Sequence, residues 1–136
     1  MQRWTAPLAL AGRIFLAYIF VVEGFGDIPH YSDVAAYMQA GGVSSRLLPL
    51  VILTELGGGL LVLTGFWARW AAIALAGFCL ATALLFHGAG ADANETIQFQ
   101  KDFAIAGGFL LLASIDHAPG PNAASSRNPP AMAKSF

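Results

Sequence analysis

The sequence predicts an all-α integral membrane protein: a four-helix bundle with a short interfacial helix after the first transmembrane helix. Three observations predict it. The chain of 136 residues is 57% hydrophobic and only 11% charged, where soluble domains run near roughly 25% charged. Its mean hydropathy is +0.63. Its apolar residues gather into four segments, about 6–26, 47–66, 69–87 and 101–117, and a spanning helix needs roughly 20 residues. The stretch 70–86 has no charge, and the shorter runs 14–22, 56–68 and 103–115 are bounded by single charges. Almost no polar face is left for water, which argues against a soluble α-helical core.

The elements follow in order. Pro7 suits the first turn of the first helix, which ends where residues 26–30 read Gly, Asp, Ile, Pro, His. A secretory signal also begins with a basic residue and an apolar run. Arg13 inside the run, Glu23 at its end and the lack of a clear A-x-A site argue for a retained helix. Residues 31–40 (YSDVAAYMQA) place Val34, Tyr37 and Met38 on one helical face. Ser32 can cap this segment, and Gly41 and Gly42 stop it. It is expected to rest at the membrane surface or over the bundle mouth. The second spanning helix starts near Leu47, holds Pro49 in its first turn and reaches about Gly65. The short connection 66–69 makes it an antiparallel neighbour of the third, which closes at His87 and Gly88. Residues 88–100 (GAGADANETIQFQ) are expected to form a polar loop before a fourth helix from Lys101 to about Ile115. The membrane domain takes in residues 1–117. The tail 118–136, rich in Pro, Ser, Ala and Asn, is expected to be disordered and to hold no site. Arg3, Arg69, Arg127 and Lys134 fall on one membrane side against Arg46 and Lys101 on the other, so both termini are expected in the cytoplasm.

Several classes are disfavoured. A net charge of −1 with no basic block argues against nucleic acid as a partner. Cys79, the single cysteine, makes neither an internal disulfide nor a C-x-x-C pair, and it reads as a small packing residue. There is no P-loop, dinucleotide glycine fingerprint or H-E-x-x-H, and no solenoid repeat. His30, His87 and His117 have no ligand at helical spacing, so no metal centre is expected. Gly57, Gly58 and Gly59, Gly107 and Gly108, and the pairs Ala104 with Gly108 and Ala72 with Ala76 read as close helix packing.

The charges inside the apolar segments point to a site. A charge near mid-bilayer costs roughly 2.5–3.5 kcal/mol, so Arg13, Glu23 and Glu55 are expected to face inward. In an up-down-up-down bundle, Glu23, Glu55, His87, Lys101 and Asp102 share one membrane half. Arg13 lies deeper, with a side chain long enough to reach toward Glu55. Arg13, Glu23, Glu55, His87, Lys101 and Asp102 are the expected polar pocket, walled by Phe25, Phe78, Phe86, Phe99 and Phe103. The bland alternative is an ion-pair network holding the helices together, with His87 a helix end and Lys101 and Asp102 a solvated helix start. Lys101 at a helix N-terminus opposes the macrodipole, which favours a partner such as Glu23 or an anionic ligand. Carboxyl groups withdrawn from water and a histidine exchange protons near neutral pH. The pocket thus suits a quinone-like head group or a small polar solute, with no cofactor built in.

These residues, in this order, resemble the DoxX family of small bacterial membrane proteins. Gly12 and Arg13 precede an apolar run to Glu23 and Gly24, and Gly41, Gly42 and Val43 precede the second spanning helix. Glu55, Leu56 and Gly57 to Gly59 follow, then Gly65, Arg69, His87, Gln98, Lys101, Asp102, Gly107 and Gly108. The likeness covers about residues 8–115. Family members often carry a lysine shortly after the first Glu-Gly, where this chain has Phe25, Gly26 and Asp27. The resemblance implies a multi-pass protein of the bacterial inner membrane, tied to redox work. Relatives include a subunit of a thiosulfate:quinone oxidoreductase and a membrane partner in a thiol and superoxide-defence complex, while a distant eukaryotic branch resembles cargo receptors. With no nucleophile–base pair in the sequence, a redox-associated membrane subunit is expected rather than an autonomous enzyme. Its expected partners are the lipid bilayer, a soluble or membrane oxidoreductase, and a second copy of the chain. The alternatives are a non-enzymatic scaffold or carrier, and a small-solute transporter, which four helices would support only as an oligomer.

Overall fold

The computed structural model describes residues 5–87 and 92–115. They are all-α, with five helices and no strand among the described residues. Helix α1 spans Thr5–Asp27, α2 Tyr31–Ala40, α3 Leu48–Thr64, α4 Ala68–Phe86 and α5 Ala93–Ile115, and a 3₁₀ turn at Ser45–Leu47 leads into α3. Three segments have the length and composition to cross a membrane: Ala6–Asp27, Ser45–Thr64 and Ala68–Phe86.

The four long helices close a ring. α1 packs on α3, α3 on α4, α4 on α5, and α5 back on α1. Phe20, Val62, Leu75, Cys79 and Phe109 fill the core, with Ala17, Ala72, Ala76 and Ala113 between them. Glycine permits this closeness. A Cβ on Gly58 would lie 3.0 Å from Leu75, one on Gly59 3.0 Å from Val21, and one on Gly108 3.1 Å from Leu16. Gly107 differs, since a Cβ there meets nothing within 4 Å, and Ala104 is exposed, so Ala104 and Gly108 do not form one packing face. The outer surface is apolar, with Phe15, Tyr18, Leu53, Leu84 and Leu111 all exposed. Water would penalise such a patch, whereas lipid tails accept it.

Local chemistry explains the helix ends. Pro49 lies in the first turn of α3, where its missing N–H costs nothing. Gly65, at φ 81°, ends α3 in the left-handed conformation, and its N–H donates to the Leu61 carbonyl at 3.0 Å. Two boundaries differ from expectation. Helix α5 begins at Ala93 and not at Lys101, so 93–100 is helical. Asp92 caps it, its Oδ1 accepting from the Glu95 N–H at 3.0 Å. A polar composition does not by itself end a helix. Helix α2 starts at Tyr31, so Ser32 lies inside it and does not cap; the His30 carbonyl accepts instead from the Asp33 and Val34 N–H groups, both at 3.0 Å. The expectations for His117, the 118–136 tail and residues 88–91 fall outside the described residues.

Helix α2 leans on the end of α4. Tyr37 stacks on Phe86 with centroids 5.4 Å apart at 19°, and Met38 is buried. A Cβ on Gly41 would lie 2.7 Å from Phe86 Cδ1. Val34, Tyr37 and Met38 thus face the bundle together, as their spacing predicts.

Candidate functional site

A cavity of about 340 Å³ opens where α1 ends, α3 begins and α4 ends. Each helix contributes one face to it. Phe20, Glu23 and Asp27 come from α1, Tyr37 from α2 and Glu55 from α3. Phe78, Thr82 and Phe86 come from α4, and Gln98, Lys101 and Asp102 from α5, with His87 closing α4. These spacings of three and four residues each mark a single helical face.

The α1–α3 side is acidic. Glu55 is 7% exposed, the one buried charged side chain among the described residues. Its Oε2 is buried and has no hydrogen-bond partner among them. Asp27 and Glu23 are the charged groups that act on it, and the Asp27 carboxyl also shares a side-chain hydrogen bond with it. Gly24 makes this geometry possible. A Cβ there would lie 2.7 Å from Leu56 Cγ and 3.2 Å from Glu55 Cβ, so α1 lies flat on α3 at this level.

The α4–α5 side is knit together. Thr82 Oγ1 donates to Asp102 Oδ2 at 3.1 Å. His87 Nε2 stands 4.0 Å from the same carboxylate, and His87 Nδ1 meets Glu95 Oε2. A doubly protonated imidazole serves both carboxylates, while a neutral one donates to one only. Lys101 Nζ donates to Gln98 Oε1 at 2.8 Å, which is its partner here in place of the expected Glu23. Above this wall, burial pushes the Tyr37 phenol above its ordinary value, with Glu95 and Asp102 adding to the shift, so its hydroxyl stays a neutral donor.

The structure brings Glu23, Glu55, His87, Lys101 and Asp102 together. Arg13 stands apart. Its Nη1 packs against Gly65, where an added Cβ would lie 2.8 Å away. Gly65 is ten residues along α3 from Glu55, about 15 Å at 1.5 Å per residue. The expected Arg13–Glu55 pair is therefore not formed, because antiparallel packing sets Gly24 beside Glu55 and carries Arg13 toward the opposite end.

The aromatic wall is also corrected. Phe78 and Phe86 line the cavity. Phe25 and Phe103 are exposed, and Phe99 packs on Phe103 with centroids 4.7 Å apart. Phe20, which meets Phe78 edge to face at 6.3 Å, and Tyr37 stand in their place. Asp27 and Thr82 were not foreseen either. Their signal was helical spacing from Glu23 and from Phe78.

Long apolar helices around a polar cavity define a small integral membrane protein. The family model for DoxX matches residues 8–88. The chain is 47% identical over 104 residues to inner membrane protein YqjF of Escherichia coli (strain K12), covering 76% of this chain and 80% of that one. It is 31% identical over 113 residues to inner membrane protein YphA of the same organism, covering 78% and 81%. No solved structure matches it significantly. The chain belongs to the DoxX family of membrane proteins.

Proposed function

We propose that α5 is a fourth spanning helix, that α2 lies at the interface across the cavity mouth, and that the protein works in the bacterial inner membrane with both termini in the cytoplasm. Its function in this reading is that of a redox-associated membrane subunit. The cavity holds a quinone-type head group, and a docked soluble or membrane oxidoreductase exchanges the electrons.

One observation carries this reading: a single cavity combines an aromatic wall, Phe20, Phe78 and Phe86, with hydrogen-bonding groups from all four long helices. Its volume of about 340 Å³ lies at the lower end of the range for small-molecule sites, roughly 300–1,000 Å³. Quinone carbonyls need donors, and Lys101 and Tyr37 offer them. Quinol hydroxyls need acceptors, and Asp102 and Glu55 offer those. Mass spectrometry of the protein gently extracted from its native membrane tests it. Stoichiometric quinone on the wild type, lost in both Glu55→Gln and His87→Ala, is expected. Equal quinone on wild type and variants, or none beyond bulk lipid, overturns it.

A carrier, or a small-solute transporter acting as an oligomer, is the second reading. The acid excess of the wall favours it: Glu23, Asp27, Glu55 and Asp102 against Lys101. A neutral head group has no use for that excess.

A further inference from the structure

We propose that the α1–α3 side of the cavity binds an organic ammonium ion whose apolar body is about one aromatic ring in size. The cluster of Glu23, Asp27 and Glu55 comes from two helices that contribute no lysine, arginine or histidine to the lining. Lys101 acts on Glu23 from α5, but its Nζ is bonded to Gln98. His87 is engaged with Glu95 and faces Asp102. The cations on the far wall thus have partners of their own.

A second observation makes this more than a patch of acid. Glu55 lines the cavity while 93% buried, its Oε2 accepts no N–H or hydroxyl hydrogen bond among the described residues, and its side-chain partner is Asp27, itself an acid. A carboxyl oxygen held out of water without a donor is an unfavourable arrangement. An ammonium N–H aimed at it gives a charge-assisted bond, the strongest kind available. The surrounding groups select among cations. Phe20, Phe78 and Phe86 offer ring faces and edges to the apolar body and to the charge. Among the described residues, no group of three His, Cys, Asp or Glu side chains is placed to hold a metal ion. An anion finds no basic partner on the α1–α3 side of the lining. The volume admits one ring with an amine.

The ammonium site shares with the quinone-type reading only the premise that the cavity takes a ligand. Calorimetry on the full-length protein in lipid nanodiscs separates the two, with phenethylammonium, its neutral isostere 2-phenylethanol and a short-chain ubiquinone as probes. The ammonium is expected to bind about tenfold or more tightly than the alcohol. Glu55→Gln and Asp27→Asn should each weaken ammonium binding by about tenfold and leave the alcohol unchanged, with helix content checked by circular dichroism. Equal affinity for ammonium and alcohol overturns the proposal, as does unchanged ammonium affinity in both variants. Ubiquinone binding without ammonium binding overturns it and leaves the quinone-type reading standing. Ammonium binding without ubiquinone binding does the reverse, and no binding of either removes both.

Discussion

His87 closes α4 and Glu95 lies in the first turn of α5, and the imidazole Nδ1 of the first meets the Oε2 of the second. The pair ties the two helix ends at the rim of the cavity. It also turns the other ring nitrogen toward Asp102, 4.0 Å away. One side chain thus serves two purposes: it clamps the α4–α5 corner and places an imidazole nitrogen in the cavity wall.

The clamp predicts a stability effect. Both partners are more than two-thirds buried, at 14% and 29% side-chain exposure. Glu95→Ala is expected to cost about 1–2 kcal/mol, as for loss of a charge-assisted hydrogen bond. Thermal melting followed by circular dichroism in detergent checks it. A variant that melts with the wild type shows that the contact contributes nothing.

Gly24 predicts a larger effect. A methyl group there would press on Leu56 Cγ at 2.7 Å and the Leu56 backbone N at 3.1 Å. Neither is the free end of a flexible chain, so α1 must move off α3 at the level of Glu55. Gly24→Ala should cost about 1–3 kcal/mol, in the range of overpacking. Gly12→Ala is the matched control, because a Cβ there meets nothing within 4 Å. Equal melting temperatures for the two variants would show that α1 and α3 are not in close contact at this point.

The contrast between Gly24 and Arg13 shows what the sequence could and could not disclose. Apolar length marked the long helices, and the spacing of Val34, Tyr37 and Met38 marked the short one. Both are properties of single segments. The pairing of Arg13 with Glu55 needed the stagger between two helices, which rests on where glycine allows contact. The aromatic wall failed for a related reason: Phe25 and Phe103 lie at suitable heights but are rotated outward. Rotation was partly legible, because Phe20, Glu23 and Asp27 share one face of α1 and Phe78, Thr82 and Phe86 one face of α4. The start of α5 was hidden because its first two turns are polar and read as a loop, while the Asp92 cap sets the helix boundary.

Cys79 offers a chemical readout of the cavity. Its side chain lines the cavity yet is only 2% exposed. A maleimide should label it slowly in the folded protein and fully in dodecyl sulfate. A ligand seated between Phe20, Phe78 and Glu55 should slow native labelling further. Mass spectrometry of time-quenched samples follows both steps. Labelling at the same rate in folded and denatured protein would show that the α4 face is not buried.

The α3–α4 turn predicts which way the protein faces. Phe66, Trp67 and Trp70 are exposed there, and the Arg69 guanidinium carbon lies 5.4 Å from the Trp70 ring centre. Aromatic rings beside a cation suit the membrane–water interface, and a basic residue in a short loop favours its cytoplasmic face. If that turn is cytoplasmic, α3 and α4 lead away from it, the cavity between their far ends opens to the periplasm, and α5 brings the chain back across. Alkaline phosphatase fused after Gly42 should then be active, and the same enzyme fused after Phe136 inactive. A green fluorescent protein at each point should give the opposite pattern. Active phosphatase at Phe136 would mean that α5 does not cross or that the whole bundle is inverted. The Gly42 fusion separates these cases, because inversion silences it and a non-crossing α5 does not.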